Sequence, residues 1–148
     1  MRTATAPAIR SATSADLDAI VCIQQAAPEA SQWSIEWYRE KLLEPESRYS
    51  ILVAVWQGHI AAFAVTLDAA GEMELLNLAV APECRRQGLG KLLISTVAAR
   101  GGAVHLEVRE KNEAAVSFYM RLGFRVAGRR TSYYRDPADN AVIMKLIP

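Results

Sequence analysis

A short basic stretch with two glycines is the part of this 148-residue sequence best suited to bind an anion. It reads Arg85-Arg86-Gln87-Gly88-Leu89-Gly90-Lys91 and lies between a strand-like apolar run and a run with helical periodicity. Glycine lets a backbone approach a ligand closely, and the free N–H groups at a helix start bind phosphate oxygens. The stretch is therefore a candidate pyrophosphate-binding turn. On the glycines alone, a tight connection with solvated basic residues is an equally good interpretation.

Two common phosphate-binding motifs do not fit this stretch. A Walker loop requires a glycine five positions before Gly90, where Arg85 stands, and a serine or threonine where Leu92 stands. The dinucleotide-binding fingerprint requires a further glycine three positions after Gly90, and Leu93 occupies that position. The sequence therefore predicts neither of these nucleotide sites.

The segments that must position this turn alternate between strand and helix periodicity. Strands are predicted at 8–12, 51–56, 60–67, 72–80, 103–108, 124–130 and 141–147. Four helices are predicted: one that begins after an N-cap at 13 or 14 and extends to 27, and three at 34–43, 89–100 and 113–122. A loop is predicted around Asp136-Pro137. The order βααβββαβαββ predicts an α/β (α+β) fold in which a mixed, mostly antiparallel central sheet is flanked by helices.

Composition limits the classes of protein that this chain can be. The length suits a single domain, 1–148, and 51% of the residues are hydrophobic while 22% are charged. A net charge of +1 gives no bulk attraction to nucleic acid or membrane, and no apolar run approaches the roughly 18 residues of a membrane span. The isolated cysteines, Cys22 and Cys84, argue against a disulfide framework or a metal site. We expect a cytoplasmic monomer or weak dimer that binds neither nucleic acid nor membrane.

Two stretches resemble the cofactor-binding segments of the GNAT acetyltransferases. LLNLAVAPECRRQGLGKLL, 75–93, carries the pattern Arg/Gln-x-x-Gly-x-Gly/Ala between a strand and a helix, with Arg85, Gly88 and Gly90 at its defined positions. LEVREKNEAAVSFYMRLGF, 106–124, resembles the second such segment. With the strand order, the resemblance covers nearly the whole chain. It implies the GNAT fold and acetyl-CoA as cosubstrate, with no metal.

Four local details resemble one branch of that family, the ribosomal-protein-alanine N-acetyltransferases of the RimI type. They are Trp33-Ser34, Asn77-Leu78-Ala79-Val80, Leu106-Glu107-Val108-Arg109 and Tyr133-Tyr134. This resemblance implies acetyl transfer to the N-terminal α-amine of a protein, and the N-terminal alanine of a small-subunit ribosomal protein is the expected acceptor. The branch often has proline at the position of Gln32 and an acidic residue at that of Asn140, so the exact acceptor is the open point.

The resemblance also implies roles for individual residues. Glu107 is expected to be the general base, and Tyr119 the general acid for the departing thiolate. The residues expected to bind acetyl-CoA are Leu78, Ala79, Val80, Arg85, Arg86, Gln87, Gly88, Leu89, Gly90, Lys91 and Asn112. The acceptor groove is expected to be lined by Trp33 and Tyr133.

Considered without the resemblance, these side chains have simpler interpretations. Strand alternation places Glu107 with His105 and Arg109 on one face, which solvent would cover. Helical spacing places Tyr119 in an apolar stripe, as a core tyrosine with its hydroxyl at the edge. Asn112 stands where a helix N-cap is expected. An acidic excess in 28–48 would suit a basic peptide, but it also fits a solvated helix face.

Reference pKa values constrain the chemistry. A free glutamate titrates near ~4.3 and an α-amino group near ~7.7–8.0, so a glutamate base must act from a buried setting or through a water. A phenol near ~10 is a weaker acid than a thiol near ~8.5, so Tyr119 is expected mainly to donate a hydrogen bond. Two alternatives stay open: a small amine as acceptor, and an acyl-CoA-binding module without catalysis. The presence of both Glu107 and Tyr119 argues against the second.

Overall fold

A seven-stranded sheet forms the centre of the structure, a computed structural model that describes residues 5–148. The strands are β1 (Ala8–Ser11), β2 (Tyr49–Trp56), β3 (His59–Ala69), β4 (Glu72–Val80), β5 (Val104–Arg109), β6 (Arg125–Arg135) and β7 (Ala138–Leu146). They lie in the order β1-β2-β3-β4-β5-β7-β6. Neighbours are antiparallel except for β4 and β5, which are parallel. The predicted mixed, mostly antiparallel sheet is confirmed.

Four α-helices flank the sheet, and side chains fix where several of them begin. They are α1 (Leu17–Gln25), α2 (Ile35–Leu43), α3 (Leu89–Ala98) and α4 (Glu113–Arg121). The hydroxyl of Ser34 accepts a hydrogen bond from the backbone N–H of Trp37 at the start of α2. Before α1, Asp16 accepts a hydrogen bond from the N–H of Thr13, and the Arg10 guanidinium lowers the pKa of this carboxyl to about 2. None of the described helices is long and apolar enough to cross a membrane.

The two faces of the sheet carry two separate cores. Helices α3 and α4 cover one face, where Leu93 packs with small residues such as Ala62 and Ala64. Helices α1 and α2 cover the other face, where the large side chains of Phe63 and Val65 point. Successive side chains of a strand point to opposite faces, so the small residues of β3 lie on the α3 side and its large residues lie on the α1 side. Small residues under a helix permit a close approach, which brings α3 near the sheet.

The last hairpin is longer than the sequence predicts. Strand β6 continues to Arg135 and β7 begins at Ala138, so the predicted long loop is a short turn at Asp136-Pro137. The prediction of a strand ending at residue 130 was wrong because 131–135 lie at the sheet edge and are mostly exposed, and thus show no apolar alternation. The extra residues are accommodated by a register shift between Arg130 and Tyr134.

Candidate active site

Strands β4 and β5 separate soon after they begin, and the gap between them is the centre of the candidate site. The two parallel strands pair at Met73 with Val104 and at Glu74 with His105. Beyond these pairs β4 continues to Val80 and β5 to Arg109 without pairing to each other. Backbone N–H and C=O groups within a sheet need hydrogen-bond partners. An extended ligand can therefore bind in the gap as if it were a strand.

A bulge in β4 decides which side chains border this gap. The register with β3 shifts by one residue, and Leu76 is the extra residue. Strict alternation from Leu75 would place Asn77 on the α3 side of the sheet. Because of the bulge, Leu78 and Val80 pack against the α3–α4 core instead. The bulge thus gives the predicted acetyl-binding segment its orientation, which alternation in the sequence could not show.

The same bulge turns Asn77 toward the segment between α1 and α2. Its side-chain nitrogen donates to the carbonyl oxygen of Ser31 at 2.9 Å, and its side-chain oxygen accepts from the Ser31 N–H at 3.2 Å. Asn77 is 5% exposed, so its side chain is buried, whereas Ser31 lies at the surface. Sequence reasoning quoted Asn77 only as part of a motif. The structure makes it the link between β4 and the segment that carries Trp33.

The turn before α3 presents free N–H groups and cations to solvent. Gly88 has φ +78°, a left-handed conformation that favours glycine, and open space surrounds the position of a Cβ. The first N–H groups of α3 have no acceptor within the helix. The side chains of Arg85, Arg86 and Lys91 are exposed and form no ion pair within residues 5–148. This arrangement suits a phosphate group.

The second glycine of the motif has a packing reason as well. A Cβ on Gly90 would lie 3.1 Å from the ring of Phe118 on α4. Gly90 therefore allows α4 to pack beside the first turn of α3. Leu89 is 1% exposed and belongs to the core, so a ligand at this turn meets its backbone only.

Glu107 lies on β5, on the face opposite the α3–α4 core. Its neighbours Leu106 and Val108 are core residues, as the alternation predicted. The Glu107 side chain is 21% exposed, and its Oε1 lies 3.0 Å from the Nε of Arg130. The simple expectation of a freely solvated carboxylate is thus wrong. Glu107 is a largely shielded carboxylate with one cationic neighbour.

Tyr133 lies beside this carboxylate, whereas Trp33 belongs to another cluster. The negative charge of Glu107 is the main cause that raises the pKa of Tyr133. Trp33 stacks on Trp37 with ring centroids 4.2 Å apart, within the core of the α1–α2 face. No described contact joins Trp33 to Tyr133. That both line one acceptor groove stays a prediction.

Tyr119 lies on α4 at the edge of the α3–α4 core. Its ring packs edge-on against Phe118 and Phe124, at centroid distances of 5.1 and 5.4 Å. Burial raises the pKa of Tyr119 to about 12. Within residues 5–148 its hydroxyl has no hydrogen-bond partner, so it is available to a ligand. Such a phenol is a hydrogen-bond donor rather than a proton source for a thiolate near ~8.5.

A match to a known protein family agrees with this geometry, in which two strands separate beside a basic turn and a carboxylate. The profile of the acetyltransferase (GNAT) family matches residues 17–124. This chain belongs to the GNAT acetyltransferase family.

Relatives narrow the class of reaction. This GNAT chain is 39% identical to the [ribosomal protein bS18]-alanine N-acetyltransferase of Escherichia coli K12, over 93% of this chain and 95% of that protein. It is 30% identical to a putative [ribosomal protein bS18]-alanine N-acetyltransferase of Bacillus subtilis, over 95% of each chain. The crystal structure of the ribosomal-protein-S18-alanine N-acetyltransferase from Escherichia coli matches with a TM-score of 0.79 at 35% identity, covering 95% of this chain and 93% of that one. The protein is an N-acetyltransferase.

The two departures from the RimI-type pattern have structural roles in this GNAT protein. The Gln32 side chain donates to the carbonyl oxygens of Gln24, Ala27 and Ala30, and so holds the end of α1. The Asn140 side-chain oxygen accepts from the N–H of Ser132 at 2.8 Å. Both residues therefore support the segments that carry Trp33 and Tyr133.

Asn112 accepts a hydrogen bond from the N–H of Ala115 and is the N-cap of α4, as predicted.

Proposed function

We propose that this protein transfers an acetyl group from acetyl-CoA to the N-terminal α-amine of a protein, with the N-terminal alanine of a small-subunit ribosomal protein as acceptor. The observation that carries the proposal is the position of Glu107, a shielded carboxylate on the strand that borders the unpaired part of β4. The name of the Escherichia coli relative supports the choice of acceptor.

GNAT acetyltransferases use acetyl-CoA, and the residues around the gap fit it. Leu78, Ala79 and Val80 pair with β3, and the backbone groups that this segment presents on its other side, toward β5, would hold the extended pantetheine arm. The turn from Arg85 to Lys91, with its free N–H groups and unpaired cations, would hold the pyrophosphate. Asn112 uses its side-chain oxygen as the α4 cap, which leaves its side-chain nitrogen free to donate to the cosubstrate.

Glu107 and Tyr119 would take the two proton-handling roles. Acetyl-CoA supplies the acetyl group as a thioester. Glu107 accepts the proton of the attacking amine, directly or through a water. The hydroxyl of Tyr119 donates a hydrogen bond to the sulfur, since its raised pKa of about 12 opposes full proton transfer.

The acceptor chemistry favours an α-amine over a lysine side chain. An α-amine titrates near ~7.7–8.0 and lysine near ~10.4, so at neutral pH the α-amine has roughly 300-fold more of the neutral form. Five acidic side chains on or next to α2 are exposed and form no ion pair within the described range: Glu29, Glu36, Glu40, Glu44 and Glu46. An acidic surface next to the segment that carries Trp33 suits a basic ribosomal N-terminus.

Two lysine-containing basic peptides of identical sequence test this proposal. One has a free N-terminal alanine and the other a blocked N-terminus, and products are identified by mass and fragmentation. We expect acetylation of the free α-amine alone, and a rate at least about 100-fold lower with the Glu107→Gln protein. Transfer to lysine in the blocked peptide would contradict the α-amine assignment. Transfer to small amines but to neither peptide would establish the small-amine alternative, and acetyl-CoA binding without any transfer would establish a binding module.

A further inference from the structure

Two neighbouring arginines of β6 form ion pairs of the same length on opposite faces of the sheet. The Nε of Arg129 lies 3.0 Å from a carboxylate oxygen of Glu110, and the Nε of Arg130 lies 3.0 Å from one of Glu107. Successive residues of a strand point to opposite faces. The sequence Arg-Arg gives no reason to distinguish the two side chains.

The two ion pairs differ in surroundings and in direction. Glu110 is 42% exposed, whereas Glu107 is 21% exposed. Arg129 donates a well-directed hydrogen bond to Glu110. Arg130 approaches Glu107 as a charge, and the Tyr133 hydroxyl is a second neighbour of the carboxylate, because the charge of Glu107 and a side-chain hydrogen bond to it raise the pKa of Tyr133. A carboxylate has about four lone-pair sites, so these two neighbours leave others open to a proton from another molecule.

The backbone conformation around Arg130 helps to keep its side chain near Glu107. The ladder between β6 and β7 is interrupted after Arg130, where Ser132 adopts φ +53°. The side chain of Asn140 holds Ser132 in that conformation through its N–H. The interruption also places the ring of Tyr133 5.5 Å from the Arg130 guanidinium. Arg130 is thus held between Tyr133 and Glu107.

We propose that Arg130 is a positioning residue for acetyl transfer, which holds the Glu107 carboxylate in a fixed orientation through the 3.0 Å contact while leaving lone pairs free to accept the amine proton. The inference depends on the proposed function, in which Glu107 is the base. Half-exposed ion pairs are weak, so the effect is moderate until the acceptor peptide covers the pair.

Other charged and titratable groups share this face and bear on any pH profile. They are Arg130, Tyr133 and Tyr134 on β6, Glu74 on β4, His105 and Arg109 on β5, and Lys145 on β7. Lys145 Nζ lies 3.1 Å and His105 Nε2 lies 4.0 Å from the carboxylate oxygens of Glu72, which offsets part of the Lys145 charge. Arg109 donates to the carbonyl oxygens of Asp136 and Pro137. Among these cations, Arg130 is the one in contact with Glu107.

The test compares Arg130→Gln and Arg130→Lys with the matched control Arg129→Gln. Rates are measured from pH 5 to 9 on the free N-terminal alanine peptide, with kcat/KM divided by the neutral fraction of the peptide amine. For Arg130→Gln we expect a roughly three- to tenfold lower kcat, because the Glu107 carboxylate loses the contact that orients it. The KM for acetyl-CoA should stay within about twofold, Arg130→Lys should recover much of the rate, and Arg129→Gln should match the unchanged protein.

Each outcome decides between the inference and its alternatives. Equal profiles for Arg130→Gln and Arg129→Gln would overturn it, and so would a faster Arg130→Gln enzyme, because Arg130 would then restrain the base unproductively. A lower melting temperature shared by both variants, with rates unchanged per folded molecule, would make both pairs structural and overturn it too. If the unchanged protein transfers no acetyl group to the peptide, the proposed function fails first, and this failure is visible before any variant is compared.

Discussion

The two sides of the candidate site are built in different ways. On the proposed acetyl-CoA side, the end of β4 and the turn before α3 offer mainly backbone groups, shaped by a bulge and by Gly88. On the proposed acceptor side, Glu107 on β5 and Arg130 and Tyr133 on β6 offer side chains. A site formed by backbone groups requires particular residue types within a short stretch, so it is visible in the sequence as a motif. A site formed by side chains is assembled by the tertiary fold, so its residues are scattered along the sequence.

The largest expected effect comes from Glu107→Gln, on the acceptor side. General base catalysis contributes about 10²–10⁴-fold, so we expect kcat at neutral pH to fall by at least about 100-fold. Acetyl-CoA affinity should be nearly intact, because the cosubstrate would bind to the other side. Calorimetry and steady-state rates check both quantities. Equal losses of rate and of affinity would mean that Glu107 supports the whole gap, and the division into two sides would fail.

The next effect comes from Gly88→Val, on the acetyl-CoA side. A side chain at φ +78° strains the turn and obstructs the approach of a phosphate to the backbone. We expect acetyl-CoA affinity to fall at least about tenfold. Gly58→Val is the matched control, because Gly58 also has φ +78° with open space around it, in the β2–β3 hairpin. If both variants bound acetyl-CoA alike, the cradle assignment would be refuted.

The smallest effect is expected where the two sides meet, at Asn77. Removing the side chain in Asn77→Ala removes two hydrogen bonds to the backbone of Ser31, and at about 0.5–1.5 kcal/mol for each bond the free energy of unfolding should fall by about 1–3 kcal/mol. We also expect the KM for the peptide to rise several-fold more than the KM for acetyl-CoA. Denaturant unfolding and both KM values provide the measurement. The control is Thr66→Val, which removes a buried hydroxyl without a described partner and should cost little. An equal rise of both KM values would contradict a role in holding the acceptor segment.

Helices and strands were predictable from the sequence where burial of one face imposes a hydrophobic period. The helix caps at Ser34 and Asn112 and the strands under the two cores follow the sequence pattern closely. The predicted end of β6 was wrong, because an exposed edge strand is held by pairing with β7 rather than by an apolar face. Pairing depends on a neighbour that periodicity within one segment does not show.

The roles of single residues were less predictable than the elements. Gly88 was found because glycine lets the backbone approach a ligand closely and because it stands at a defined position of the family pattern; its left-handed conformation was shown by the structure. Asn77 could not be distinguished, because the bulge at Leu76 reverses the face on which it lies. Arg130 could not be separated from Arg129, since the choice depends on the register of two strands.

By itself, the sequence determined the family, the order of elements and the glycine turn beside α3. The family follows from the resemblance of two segments, 75–93 and 106–124, to those of known acetyltransferases. The order of elements and the turn follow from local requirements, namely apolar periods, caps and glycine positions, each of which restricts residue types within a few positions. Only the tertiary structure decided that β4 and β5 separate, that Asn77 reaches Ser31, and that Arg130 contacts Glu107. These are contacts between distant segments. Their geometry depends on strand register, and a shift of one residue turns a side chain to the other face of the sheet.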